Sequence, residues 1–200
     1  MKKLQDVIQL VSGSPQFRIT ESPSPDAPIY SFYGQQELDN DLCGIEVNKE
    51  DPKQIATFDT VNTLDAGDIV FSLTSGKTSI VQKNHQGYLF TQNFIKMIPS
   101  DGIDNKYLVY IMNESDFIKK QWLVGLQGSS VIKYTVKQIK ELDLPEMPTM
   151  DKQQIIGDIY FDQLRLQALQ MRAADTERII TFKKLKEVNG VWKKYNLKKN

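Results

Sequence analysis

Residues 149–187 constrain this chain more than any other stretch, because they read as one long helix behind Leu144-Pro145-Glu146-Met147-Pro148. Two prolines so close together remove backbone donors and bias their predecessors toward extended conformations, so the chain must turn before the helix starts. Asp151 with Gln154 fits a capping box, and beyond it only Gly157 interrupts the run until Asn189-Gly190 offers a stop. Ile155, Ile159, Asp162, Leu166, Leu169, Ala173, Thr176 and Ile180 recur in alternating steps of four and three. That is the spacing of a coiled-coil seam, with polar residues at two places. At 1.5 Å per residue such a helix is roughly 55 Å long, more than a domain of this size needs for its own core. Its apolar stripe therefore requires a partner.

Composition bounds the rest. Two hundred residues at 40% apolar content suit one globular domain with an appendage. Cys43 is the single cysteine, which excludes an intrachain disulfide and a four-thiolate zinc site. The opening Met1-Lys2-Lys3-Leu4-Gln5-Asp6 lacks a signal-peptide core, and no run approaches membrane-spanning length, so a cytoplasmic protein without membrane contact is expected. The formal net charge is zero but unevenly divided: residues 1–150 carry 14 Lys and Arg against 19 Asp and Glu, and residues 151–200 carry 11 against 6. Two windows, 69–100 and 117–140, contain no acid at all. Local basic faces on an acidic body favour a polyanion bound at a defined place. Solvated lysines without a partner are the plain alternative.

Along the chain, Leu4, Val7, Ile8 and Val11 predict a short helix over 3–11, and residues 12–28 an irregular segment rich in Ser and Pro. A strand is expected at 29–33, ended by Gly34; residues 35–58 carry no decisive pattern. Further strands are expected at 69–73, 79–81, 88–90 and 94–99, with polar turns at 74–78 and 82–87. Asp104 caps a helix through Tyr107, Leu108, Ile111 and Met112, with Phe117 and Ile118 at continuing helical spacing. Thr135 and Gln138 open another. The fold class is α/β, mixed α+β: a β-rich domain at 1–148, a long coiled-coil-type helix at 149–189 and a basic tail at 190–200.

No catalytic constellation is visible. Ser75-Gly76-Lys77-Thr78 resembles the tail of a P-loop, but the required first glycine position holds Phe71. His85 has no partner that spacing identifies, and a lone cysteine such as Cys43 is usually a small core residue. A binding and assembly role is expected, with no enzymatic activity and no metal.

The order of landmarks resembles the specificity subunit of type I restriction-modification systems. Its matching pieces are Leu64-x-x-Gly67-Asp68-Ile69-Val70-Phe71-Ser72, Ile103-Asp104-x-x-Tyr107-Leu108-x-Tyr110, Gly128-Ser129, Ile139-x-x-Leu142-x-Leu144-Pro145-x-x-Pro148 and Gln153-x-x-Ile156. Leu144 stands where the family more often has isoleucine, and Lys152 where an acid often precedes the glutamine. The resemblance implies a target-recognition domain followed by a conserved long helix, in a half-length form with one of each. It further implies double-stranded DNA, a methyltransferase (modification) subunit and a restriction subunit as partners. S-adenosylmethionine is expected on the methyltransferase only, so this chain carries no cofactor. Two copies paired antiparallel through Ile159, Leu166, Leu169 and Ile180 would form a homodimer reading an interrupted palindrome. Base readout needs polar side chains on loops, which nominates Lys77, Thr78, Lys83, Asn84 and His85 from one acid-free window. Gln127, Ser129, Ser130 and Lys133 come from the other, with Tyr33, Gln35 and Gln36 as a third group. The competing expectation is a coiled-coil adaptor without sequence-specific DNA binding.

Overall fold

The strand Ile69–Ser72 (β4) is buried along its whole length. Alternation sends Ile69 and Phe71 into one apolar cluster and Val70 into another, so the strand separates two cores. The computed structural model describes residues 2–45, 52–125 and 134–197. In it, β4 lies between Phe94–Pro99 (β7) and Thr78–Ile80 (β5), and Ile8–Ser12 (β1) closes the far edge; the order β1-β7-β4-β5 is antiparallel throughout. A smaller sheet sets Ile29–Tyr33 (β2) between antiparallel Gln54–Ala56 (β3) and parallel Leu89–Phe90 (β6). Helices Asn105–Glu114 (α2), Asp116–Gly125 (α3) and Val136–Glu141 (α4) bring Leu108, Ile111, Met112, Ile118, Trp122 and Ile139 to the larger core. The mixed α+β domain followed by one long helix is the class the sequence predicts.

Local differences have local causes. Residues 3–11 do not form a helix: Leu4–Asp6 is a single 3-10 turn, and Ile8–Ser12 pairs with β7 from Ile8 opposite Pro99 to Ser12 opposite Ile95. An available sheet edge outweighs helical spacing in a stretch rich in β-branched residues. Residues 35–43 form a helix, Gln35–Cys43 (α1), whose signal is thin because only Leu38 and Leu42 mark its apolar face. Its start is fixed by Glu37, whose carboxylate accepts the Gly34 N–H at 3.0 Å. Phe117 and Ile118 do not prolong α2, because Ser115 is extended and α3 begins anew.

The long helix Met150–Leu197 (α5) runs through the expected stop at Asn189-Gly190. The Asp151–Gln154 capping box does not form, since Asp151 already lies inside the first turn. The proline segment ahead of it is pinned: the Leu4 N–H donates to the Leu142 carbonyl and the Leu144 N–H to the Lys2 carbonyl. The Gln121 amide also bonds both the N–H and the C=O of Asp143, at 2.8 and 2.9 Å. Over its first turns α5 lies on the domain through Gln153, Ile156, Gly157, Tyr160, Phe161 and Leu164, an i, i+3, i+4, i+7 stripe. Gly157 is required there, because a Cβ would sit 2.6 Å from Lys106 Cβ and 2.8 Å from the Tyr107 nitrogen. The predicted seam points the other way: Ile155 is 59% exposed, Ile159 64%, Leu166 49% and Ile180 48%.

Candidate nucleic-acid interface

Helix α1 lies against both nominated loops. At the hairpin between β4 and β5, the Lys77 ammonium meets Asp39 at 2.8 Å and the Ser72 hydroxyl donates to Gln35 Oε1 at 2.9 Å. Gly76 takes a left-handed conformation with φ 72° under the Tyr134 ring, where a Cβ would collide with that ring. Tyr134 in turn donates its N–H to the Leu73 carbonyl and stacks edge-on against Phe71 and Trp122. The second loop is the 3-10 turn Lys83–His85, held from beneath. His85 Nδ1 lies 2.7 Å from Asp41 Oδ1, and the Tyr33 hydroxyl donates to Asp41 Oδ2 at 2.9 Å. All three side chains are buried. Burial first, and the Asp41 charge second, raise the Tyr33 pKa well above the usual phenol range, so its proton stays on the oxygen that Asp41 needs as donor.

The nominated residues therefore divide. Lys83 and Asn84 are exposed on the turn, Gln36 is exposed on α1, and Lys77 is half-exposed in its ion pair. His85 is not a surface side chain; it is buried on Asp41 between the Tyr33 and Tyr88 rings. Thr78 is likewise buried, and both its backbone groups bond the Asn113 amide, N–H to Oδ1 at 2.8 Å and C=O from Nδ2 at 2.9 Å. That amide supplies the pairing an edge strand would otherwise lack. Gln127, Ser129, Ser130 and Lys133 lie outside the described residues. Of the third group, Tyr33 and Gln35 serve the frame of the site, bonded to Asp41 and Ser72. Sequence reasoning missed Asp41 and Asn113, and an isolated Asp or Asn carries no signal of such a role.

Burial first and the Asp39 charge second push the Cys43 thiol pKa up, which disfavours the nucleophilic thiolate. Among the described residues no group of three His, Cys, Asp or Glu is placed to hold a metal, and no helix is long and apolar enough to cross a membrane.

What joins this surface to the long helix is compact. Asp104 caps α2 by accepting the Tyr107 N–H at 2.9 Å, and its own N–H donates to Gln153 Oε1 at 3.0 Å. Gln153 is buried and donates onward to the carbonyls of Gly102 and Pro148. Two separated motifs, around Ile103-Asp104 and around Gln153-Ile156, thus form one joint. Residues 1–171, which include that joint, match the family described as the type I restriction modification DNA specificity domain. The chain belongs to this family.

Solved structures agree on the fold of this specificity domain. The HsdS subunit from Thermoanaerobacter tengcongensis is similar with a TM-score of 0.55 at 16% identity, over 86% of this chain and 39% of that one. A chain from a structure concerned with complex assembly and conformational transition of the type I R-M system is similar with a TM-score of 0.55 at 17% identity, over 92% of this chain and 42% of that one. The specificity domain described here spans about two fifths of the length of these relatives. No curated protein matches it.

Proposed function

We propose that this chain is the DNA sequence-recognition subunit of a type I restriction-modification system. It binds a defined target and positions a partner adenine methyltransferase, with a restriction subunit joining the same assembly, and itself performs no chemistry. In this reading residues 1–148 are the target-recognition unit, residues 149–189 the pairing and spacing helix, and residues 190–200 a basic extension. Two copies act together on an interrupted palindrome.

Family membership supports the DNA-recognition part. The observation that carries the pairing is the direction of the seam. Ile155, Ile159, Leu166, Leu169 and Ile180 face away from the domain while the opposite face of the same helix is docked on it. An apolar stripe about 25 residues long, held off its own domain, is matched by a second copy of itself. Lys83, Asn84 and Lys77, with Gln127, Ser129, Ser130 and Lys133 outside the described residues, are the proposed DNA contacts.

The test mixes the chain with its methyltransferase subunit and genomic DNA, then maps methylated adenines. One interrupted palindromic consensus is expected, together with a sedimentation mass of two copies of this chain in the complex. Methylation without a consensus refutes the recognition reading. A complex holding one copy refutes the pairing.

A further inference from the structure

We infer that Asn84 reads an adenine in the major groove, and that buried His85 is the positioning residue that sets which way the Asn84 amide faces. The inference rests on the DNA-recognition reading above and adds the base that one residue specifies.

Hydrogen-bond donors and acceptors in the buried cluster set the orientation. A carboxylate only accepts hydrogen bonds, and Asp41 receives the Tyr33 hydroxyl on Oδ2 at 2.9 Å. Its Oδ1, 2.7 Å from His85 Nδ1, must therefore take a hydrogen from that nitrogen. A neutral imidazole protonated on Nδ1 leaves Nε2 as an acceptor. Asn84 Nδ2 lies 3.3 Å from Nε2 and fills that role with one of its two hydrogens. The amide can no longer turn over freely.

The exposed Asn84 then presents its carbonyl oxygen and its second N–H side by side. One acceptor beside one donor is the complement of adenine, whose N6 donates and whose N7 accepts in the major groove. Guanine shows two acceptors at the same edge and fits poorly. An imidazole with hydrogen on both nitrogens would draw the Asn84 oxygen inward and turn two donors out, the pattern that suits guanine. With His85 Nδ1 on Asp41 and the Asn84 Nδ2 beside Nε2, the geometry is that of the first arrangement, and burial of the cluster keeps water from competing for Nε2.

The test selects binding sites for the 200-residue chain from a randomised double-stranded DNA library at fixed salt and sequences the bound pool. The wild-type chain is expected to yield a consensus with a required adenine at one position of each half-site. Asn84→Ala should keep the rest of the consensus and lose about ten- to a hundred-fold of the preference for that adenine, as expected for one bidentate contact. His85→Phe keeps an aromatic ring between Tyr33 and Tyr88 but frees the amide, and should accept adenine and guanine there. A merely structural role for His85 would weaken every position alike. If His85→Phe does not fold, the exposed Asn84→Ala decides alone. A consensus unchanged by Asn84→Ala at every position overturns the inference while leaving the recognition reading standing. Loss of all DNA binding in Asn84→Ala also overturns it, since one base contact does not supply the phosphate-dependent affinity. A wild-type pool without any consensus overturns both.

Discussion

Replacing Gly157 with alanine should destabilise the protein, although the same change in an exposed helix stabilises it. Alanine is favoured over glycine inside a helix by about 1 kcal/mol. Against this, the new methyl carbon would sit 2.6 Å from Lys106 Cβ, 2.8 Å from the Tyr107 nitrogen and 2.9 Å from the Lys106 carbonyl carbon. Carbon atoms rest about 3.5–4.0 Å apart, so α5 must lift from α2 by roughly 1 Å, and two of the three obstacles are backbone atoms that cannot swing aside. Overpacking of this kind costs about 1–3 kcal/mol. The lift also strains Gln153, one helical turn away, whose bonds to Asp104, Gly102 and Pro148 measure 3.0, 3.1 and 2.9 Å. Leaving one such buried group unsatisfied adds about 1–3 kcal/mol. The net effect is a loss of about 1–5 kcal/mol, or a fall in Tm of about 2–20 °C for a chain of this size. Gly190→Ala is the internal control, because a Cβ there meets nothing within 4 Å in the same helix, and it should raise helix content. Thermal unfolding followed by circular dichroism compares the two. A Tm that is unchanged or rises in Gly157→Ala refutes the close docking of α5 on α2.

Two further outcomes follow from the same joint. Asp162 is exposed on the seam side, so Asp162→Leu should leave the domain's Tm within about 2 °C while tightening self-association about ten-fold and loosening its orientation, measured by sedimentation and by dipolar distances. Unfolding of residues 1–143 in that variant would count against the separation of the two faces. Tyr160 has its pKa pushed up to about 12, mainly by burial, because its hydroxyl is enclosed by Asn113 and Glu114. A folded pKa above the unfolded value gives stability that is complete below about pH 10 and is lost as pH rises through the folded pKa near 12. Denaturant unfolding of wild type should weaken across that window, and Tyr160→Phe should weaken less; parallel profiles would show that Tyr160 is not in the docked interface.

Regular periodicity made the frame legible. The apolar run Ile69-Val70-Phe71, the Asp104 and Thr135 caps and the long helix were readable because each announces itself within a few neighbouring residues. Long-range competition was not readable: Ile8–Ser12 has helical spacing, and only β7 lying alongside makes it a strand. The seam of α5 was visible as apolar residues, but the docked stripe was concealed because it mixes Gln153, Gly157 and Tyr160 with Ile156 and Leu164. Those residues are chosen for hydrogen bonds and close approach rather than for hydrophobicity. The same holds at the candidate interface. Lys83 and Asn84 are nominated by a polar, acid-free turn, whereas the burial of His85 depends on Asp41, 44 positions earlier in the chain.

The seam also fixes how far apart two copies would hold their domains. In an antiparallel pair each a position faces a partner's d position, and the register that sets Leu166 against Leu169 puts large apolar residues against each other at its centre and its ends. It puts Ile155 opposite Ile180, Asp162 opposite the small Ala173, and Ile159 opposite Thr176. Sliding to the next register sets Asp162 against Ile180 and Ile159 against Lys183, which buries charge against isoleucine twice. The favoured register places the two-fold axis between Gln167 and Ala168. A spin label at Lys152→Cys, in a Cys43→Ser background, would then face its copy at roughly 47 Å, from 1.5 Å of rise per residue and about 10 Å between helices. The alternative register predicts roughly 58 Å for the same pair of labels. Dipolar spectroscopy separates these values easily. A distribution centred near the longer one refutes the Leu166–Leu169 pairing, and the absence of any dipolar coupling in the assembled complex refutes antiparallel pairing through this face.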